Sequence, residues 1–190
     1  MNALDPSAGT NAPNDGLFEP PREHRLWQAV ELINLKRKHL KRLANKKGAA
    51  GEVEALARNS HFVPRPKGPA LRVLMSELKK AGIDIKRSSF DAIAVPNGVT
   101  LELADPISVR AALPVLVFVE IKTANQARVK PDFSGFFFAF TEGEITASDA
   151  LGSRHCVMLL NQATGAMLLT SVPEILARAK STTWQVSVQL

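Results

Sequence analysis

The run Val115-Leu116-Val117-Phe118-Val119 constrains this chain more than any other segment. It is apolar at every position and largely β-branched, so both faces ask to be buried, as in the central strand of a sheet. The run ends in Glu120-Ile121-Lys122, where two opposite charges two residues apart fall on one face of the strand. A glutamate and a lysine at the mouth of an apolar strand add little stability over apolar isosteres, which gives the pair a functional reading beside the plainer one of a strand emerging into solvent.

Helix and strand periods alternate around this run. Apolar spacing predicts helices over residues 22–45 (Leu26, Trp27, Val30, Ile33), 52–59 (Val53, Leu56, Ala57) and 70–81 (Leu71, Leu74, Met75, Leu78), with Gly82 as a stop signal. Two more are expected over 141–151 and 173–180. Strand-like segments are Ile83-Asp84-Ile85, Phe90 to Val95, Val99 to Leu103, Val115 to Lys122, Cys156 to Leu160 and Ala166 to Thr170, with an alternating WQVSVQL at the end. HFVPRPKGP reads as a Pro-rich turn. The expected fold is α/β, a mixed central β-sheet flanked by helices.

Residues 1–21 hold little apolar material that could repay ordering, and they read as a disordered tail. A single domain is expected over 22–190, opened by a basic helical extension, 22–47. Within it Lys36-Arg37-Lys38-His39-Leu40-Lys41-Arg42 and Lys46-Lys47 place cations on most faces, suited to a line of phosphates or to a solvated helix end. The net charge of +6 also favours a polyanionic partner such as nucleic acid. The one cysteine, Cys156, excludes an intramolecular disulfide and reads as a small buried hydrophobe. No run approaches the length of a membrane span and no secretory signal opens the sequence, so a cytoplasmic location without membrane contact is expected.

A second acid strengthens the functional reading. Asp91 lies in the apolar run Phe90-Asp91-Ala92-Ile93-Ala94-Val95, where an unpaired buried carboxylate would be costly. Asp91, Glu120 and Lys122 together make the kit for phosphodiester hydrolysis: hard oxygen ligands for Mg²⁺, and a cation beside the attacking water. Asp91 and Glu120 are the expected metal ligands. Lys122 is expected to orient or help deprotonate the water and to steady charge on the phosphate.

On Asp91 and Glu120-Ile121-Lys122 the chain resembles the PD-(D/E)XK, or restriction-endonuclease-like, nuclease superfamily, whose site is an acid on one strand and E-x-K on the next. The resemblance covers roughly residues 47 to 160 and points to an uncharacterised bacterial member. Many members carry a further Glu in the preceding helix, and here the matching acid is Glu52, with Glu54 as rival on the other flank of the helix stripe. Phe90 stands where the family name has Pro. The long stretch between Asp91 and Glu120 predicts an extra strand at Val99 to Leu103 and an inserted loop through Asp105-Pro106, which weakens the assumption that the two strands are direct neighbours. The resemblance implies an Mg²⁺-dependent DNA endonuclease, with Mn²⁺ able to substitute, and a homodimer as in many members. The alternatives are a catalytically silent module on the same fold that binds nucleic acid or protein, or a structural protein with incidental charge.

Other residues read more simply. His61 and His155 lack partners at zinc spacing, and the cluster Phe133, Phe136, Phe137, Phe138 and Phe140 reads as core rather than as a base-stacking platform. Glu102 is a reserve for the first acid, and Asp105 a loop residue. Gln126, Arg128 and Lys130 read as a polar loop with a second reading as phosphate contacts.

Overall fold

The computed structural model describes residues 50–182. The expectations for the tail, the basic helix and the closing WQVSVQL lie outside the described residues. The elements in order are a helix over residues 50–58 (α1), β1 Phe62–Pro64, α2 Gly68–Lys80, β2 Ala92–Ala94, α3 Pro106–Ala112 and β3 Val117–Ala124. α4 Glu142–Leu151, β4 His155–Asn161, β5 Met167–Thr170 and α5 Val172–Arg178 complete them. The strands form one mixed sheet in the order β1-β2-β3-β4-β5. Only β3 and β4 run parallel, and the connection between them carries α4, as a parallel pair requires. The chain is therefore of the α/β class. Among the described residues no helix is long and apolar enough to cross a membrane.

The helix ends follow their sequence signals. Gly82, at φ +77°, closes α2: its N–H bonds to Lys79 O and that of Ile83 to Leu78 O, the paired bonds of a glycine-terminated helix. α4 and α5 each begin with a reciprocal cap, Thr141 with Glu144 and Ser171 with Glu174. Asp105 caps α3 by accepting from the Ile107 and Ser108 amides.

Side-chain alternation along β3 sorts the core. Val119 and Ile121 point to the face covered by α1, where they pack with Ala55, Ala92, Met158 and Leu160. Phe118 points to the opposite face, into a cluster drawn from α2, α3 and α4 that includes Leu74, Leu78, Val109, Ala147 and Leu151. Ala124, on the same face at the other end of β3, packs with Val129, Phe133, Leu159 and Val172. Glu120 and Lys122 occupy the two positions between, at the seam of two apolar clusters.

Several expectations need correction. Val99 to Leu103 is not a strand, because both edges of β2 are taken, by β1 and β3; Val99, Leu101 and Leu103 pack half-buried on the α2–α3 cluster instead. The insertion is completed by α3 and the 3₁₀ turn Leu113–Val115. β2 and β3 pair directly despite the long insertion, with Ile93 opposite Phe118. Ile83 to Ile85 lies outside the sheet. The Pro-rich turn contains β1, a strand on the sheet's edge, where proline costs no ladder bond that a neighbour needs. On α1 the buried residues are Gly51 and Ala55, whereas Val53 is 67% exposed. Small residues win because the helix lies close on β3: a Cβ on Gly51 would come within 2.7 Å of Thr123 Cβ.

Candidate active site

Strand register assembles the site. The β2–β3 ladder pairs Ala92 with Val119, and the Asp91 amide continues it with a 2.8 Å bond to Val119 O, so Asp91 stands opposite Glu120. On the other side β1 pairs Pro64 with Ala92, and the Arg65 amide bonds to Asp91 O at 2.8 Å. Arg65, Asp91 and Glu120 thus form a row across three neighbouring strands, on the face away from Ala92 and Val119. Asp91 Oδ2 accepts from the Ile121 amide at 3.0 Å, which fixes the carboxylate over β3.

Glu120 is 5% exposed. Its Oε1 lies 2.9 Å from Lys122 Nζ, while Oε2 is buried with no hydrogen-bond partner. Burial, and then the Asp91 charge, push its carboxyl up to about 8, against the pull of Lys122. Two carboxylates set against each other in a dry place are a liability that a cation removes.

Lys122 Nζ is held twice, by Glu120 Oε1 and by Glu144 Oε2, each at 2.9 Å, and lies 5.5 Å from the Phe140 ring centroid. Burial opposes its charge, but the two carboxylates outweigh burial and hold its pKa above the usual lysine value. Glu144 is the second carboxylate on the ammonium. This third acid was absent from the sequence reading. Its Oε2 also accepts from the Thr141 amide at 3.0 Å, so the cap of α4 is what aims it at Lys122. The Thr141-x-x-Glu144 spacing was a legible cap signal, but nothing local linked it to β3.

The structure separates the two helix acids. Glu52 is half-buried, and burial followed by the Asp91 charge raises its pKa, while Arg65 and Lys122 lower it; it belongs to the same electrostatic cluster. Glu54 turns away, to Arg58 at 2.6 Å and Gln162 at 3.0 Å. Arg65 lies in the segment 61–69, a candidate recognition loop by sequence, but was not singled out there: its Nη1 donates to Phe90 O at 2.8 Å and lies 3.8 Å from Asp91 Oδ1. The sequence Val63-Pro64-Arg65-Pro66 offers no cue to that placement.

The remaining candidates fall elsewhere. Glu102 lies exposed in the insertion and Asp105 is spent on its cap. Gln126, Arg128 and Lys130 are exposed on the loop after β3, with Arg128 bonded to Gln126. Phe133, Phe136, Phe138 and Phe140 pack in succession against the far cluster, with Phe137 alone exposed. His61 is exposed; His155 is buried, with Nε2 3.4 Å from Ser89 O, and burial lowers its pKa. Cys156 is half-buried, not a core residue, and burial pushes its thiol up.

Among the described residues no three His, Cys, Asp or Glu side chains form a ready-made metal cage. The donors present suit a hard cation that keeps much of its water and takes one or two carboxylates plus substrate oxygens. The orphaned Glu120 Oε2 opposite Asp91 is the position such an ion would satisfy. Fold and site together define an α/β protein with an acid, acid and lysine cluster on adjacent strands of a mixed sheet. Compared with protein-family models, curated proteins and solved structures, the chain matches none of them.

Proposed function

We propose that this chain is a divalent-metal-dependent DNA endonuclease with a restriction-endonuclease-like core of the PD-(D/E)XK kind. The observation that carries the reading is half-buried Asp91 set opposite buried Glu120, with Glu120 Oε2 unpartnered and a charged lysine on the same face. Asp91 and Glu120 would hold Mg²⁺, or Mn²⁺ in its place. When bound, the ion supplies polarisation of the phosphate and a water of lowered pKa. Lys122, clamped by Glu120 and Glu144, presents fixed positive charge to the phosphate; as an ammonium held by two acids it orients water rather than removing its proton. Glu52, with its raised pKa, adds a carboxylate from α1 to the same cluster. The +6 charge supports DNA as substrate, and a homodimer belongs to the reading.

The test is cleavage of supercoiled, linear and branched DNA with Mg²⁺, Mn²⁺ or EDTA. Cutting is expected only with metal, and Lys122→Ala is expected to lower it roughly 10²- to 10³-fold while leaving DNA retention intact. DNA retention indifferent to metal, with no cutting of any substrate, would instead establish a binding module.

A further inference from the structure

Arg65 ends the row that runs through Asp91 and Glu120, and its geometry is not that of a simple tether. One guanidinium nitrogen, Nη1, is fixed by Phe90 O at 2.8 Å. The same nitrogen stays 3.8 Å from Asp91 Oδ1, so the charge stands beside the acid without closing a hydrogen bond on it. Among the described residues Nε and Nη2 make no hydrogen bond, and these two nitrogens form the flat edge that pairs with two oxygens of a phosphate. The side chain is 35% exposed, against 14% for Asp91, so Arg65 is the more accessible of the two. Its charge also lowers the Glu52 pKa, against burial and the Asp91 charge. Arg65 and Lys122 are the cations whose charge reaches Glu52, and Lys122 is already held by two carboxylates.

We infer that Arg65 is the residue that grips the substrate phosphate, with its Nε and Nη2 edge bonded to non-bridging oxygens of the phosphodiester presented to Asp91 and Glu120. The inference rests on the nuclease reading and adds to it the substrate clamp. A guanidinium fixed at Nη1 is pre-oriented, so little rotamer freedom is lost when phosphate arrives. Because Arg65 stands next to a prospective metal ligand, it competes with a cation for Asp91 but does not replace it.

The full chain, Arg65→Gln and Arg65→Lys are compared in three measurements: thermal melting, Mn²⁺ binding by electron paramagnetic resonance, and Ca²⁺-supported binding of a fluorescent DNA duplex. Single-turnover cleavage in Mg²⁺ is read alongside. Arg65→Gln is expected to bind Mn²⁺ as well as the parent or better, yet to lose about 10- to 100-fold in duplex affinity or cleavage rate, the worth of one charged bidentate contact. Arg65→Lys keeps the charge without the fork and should fall between the two. Should Arg65→Gln fail to fold, Arg65→Lys decides: activity and binding equal to the parent overturn the clamp. Parent-like cutting by folded Arg65→Gln, while Asp91→Asn is dead, overturns the clamp but leaves the nuclease reading standing. Absence of cutting by the parent overturns the nuclease reading; the clamp then stands or falls on whether Arg65→Gln loses Ca²⁺-supported duplex binding.

Discussion

Glu77 and Glu120 are both shut away from solvent, and their surroundings are opposite in kind. Glu77, on α2, is covered by Lys80 and by Arg110 of α3, whose Nε lies 2.8 Å from Oε2; those two cations reach out into solvent themselves. The Arg110 hydrogen bond, and then that of Lys80, hold the Glu77 carboxyl below the usual range, and both its oxygens are used. Glu120 has one lysine, shared with Glu144, an acid directly opposite, an oxygen without a partner, and a raised pKa. One acid is a rivet between helices. The other has a single shared lysine set against an opposing acid and an oxygen left without a partner, the kind of perturbed carboxyl that functional sites collect.

The largest expected contrast is in activity. Glu120→Gln should cost cleavage on the order of 10³-fold, through lost metal binding, while Glu77→Gln should leave turnover of the folded protein unchanged in a plasmid-nicking assay. Equal losses in both variants would erase the distinction between rivet and site.

Stability should invert the order. The folded-state pKa of Glu120 is raised from the ordinary glutamate value to about 8, so its favourable contribution is complete below about pH 4.5 and is lost as pH rises through about 8. Melting of the metal-free protein should therefore fall, over that window, relative to Glu120→Gln, by up to a few kcal/mol. Glu77 has a lowered pKa, so its contribution is present above the ordinary value and disappears as pH falls through the lowered one. Glu77→Gln should accordingly be destabilised near neutral pH and approach the parent in acid. Mg²⁺ or Mn²⁺ at about a hundredfold excess over Kd should restore about 2.7 kcal/mol to the parent and none to Glu120→Gln. Parallel melting curves for the two variants would contradict the assigned surroundings.

Gly51→Ala probes the acid-rich region from behind. The new Cβ overlaps Thr123, so α1 must lift from β3, at about 1–3 kcal/mol, carrying Glu52 away from Asp91 while leaving the Glu77 rivet intact. Urea melting and cleavage should both report it; a neutral result would mean that α1 does not pack where its contacts place it.

The smallest effects separate the neighbouring helix acids. Glu52→Ala should slow cleavage roughly 10- to 100-fold, as loss of a supporting group at a metal site does. Glu54→Ala removes a surface ion pair with Arg58 and should change stability by less than about 1 kcal/mol, with cleavage unaltered. Reversed phenotypes would move the helix acid to Glu54.

Much of the architecture could be read directly from residue patterns. Caps and glycines mark α2, α4 and α5 because a helix end must satisfy its own orphaned amides and carbonyls within a few residues. The expected strand at Val99 to Leu103 failed for a reason no local pattern carries: its apolar residues found a helical cluster to pack on after both edges of β2 were occupied. β1 went unseen because its prolines advertise a turn, and only an edge position makes them tolerable. The stripe on α1 misled because close approach to β3 selects glycine and alanine over valine.

By itself the sequence determined that Glu120 and Lys122 share one face of an apolar strand, because the two-residue alternation of side chains is a property of the extended backbone alone. That Asp91 stands opposite Glu120 despite a long insertion, that Glu144 and Arg65 join them, and that Glu52 rather than Glu54 faces the cluster were decided by strand register and by the close seating of α1 and α4. Those relations bring together groups from β1, β2, β3 and two helices. Proximity across elements depends on which surfaces pack, and no periodicity along a single segment encodes it.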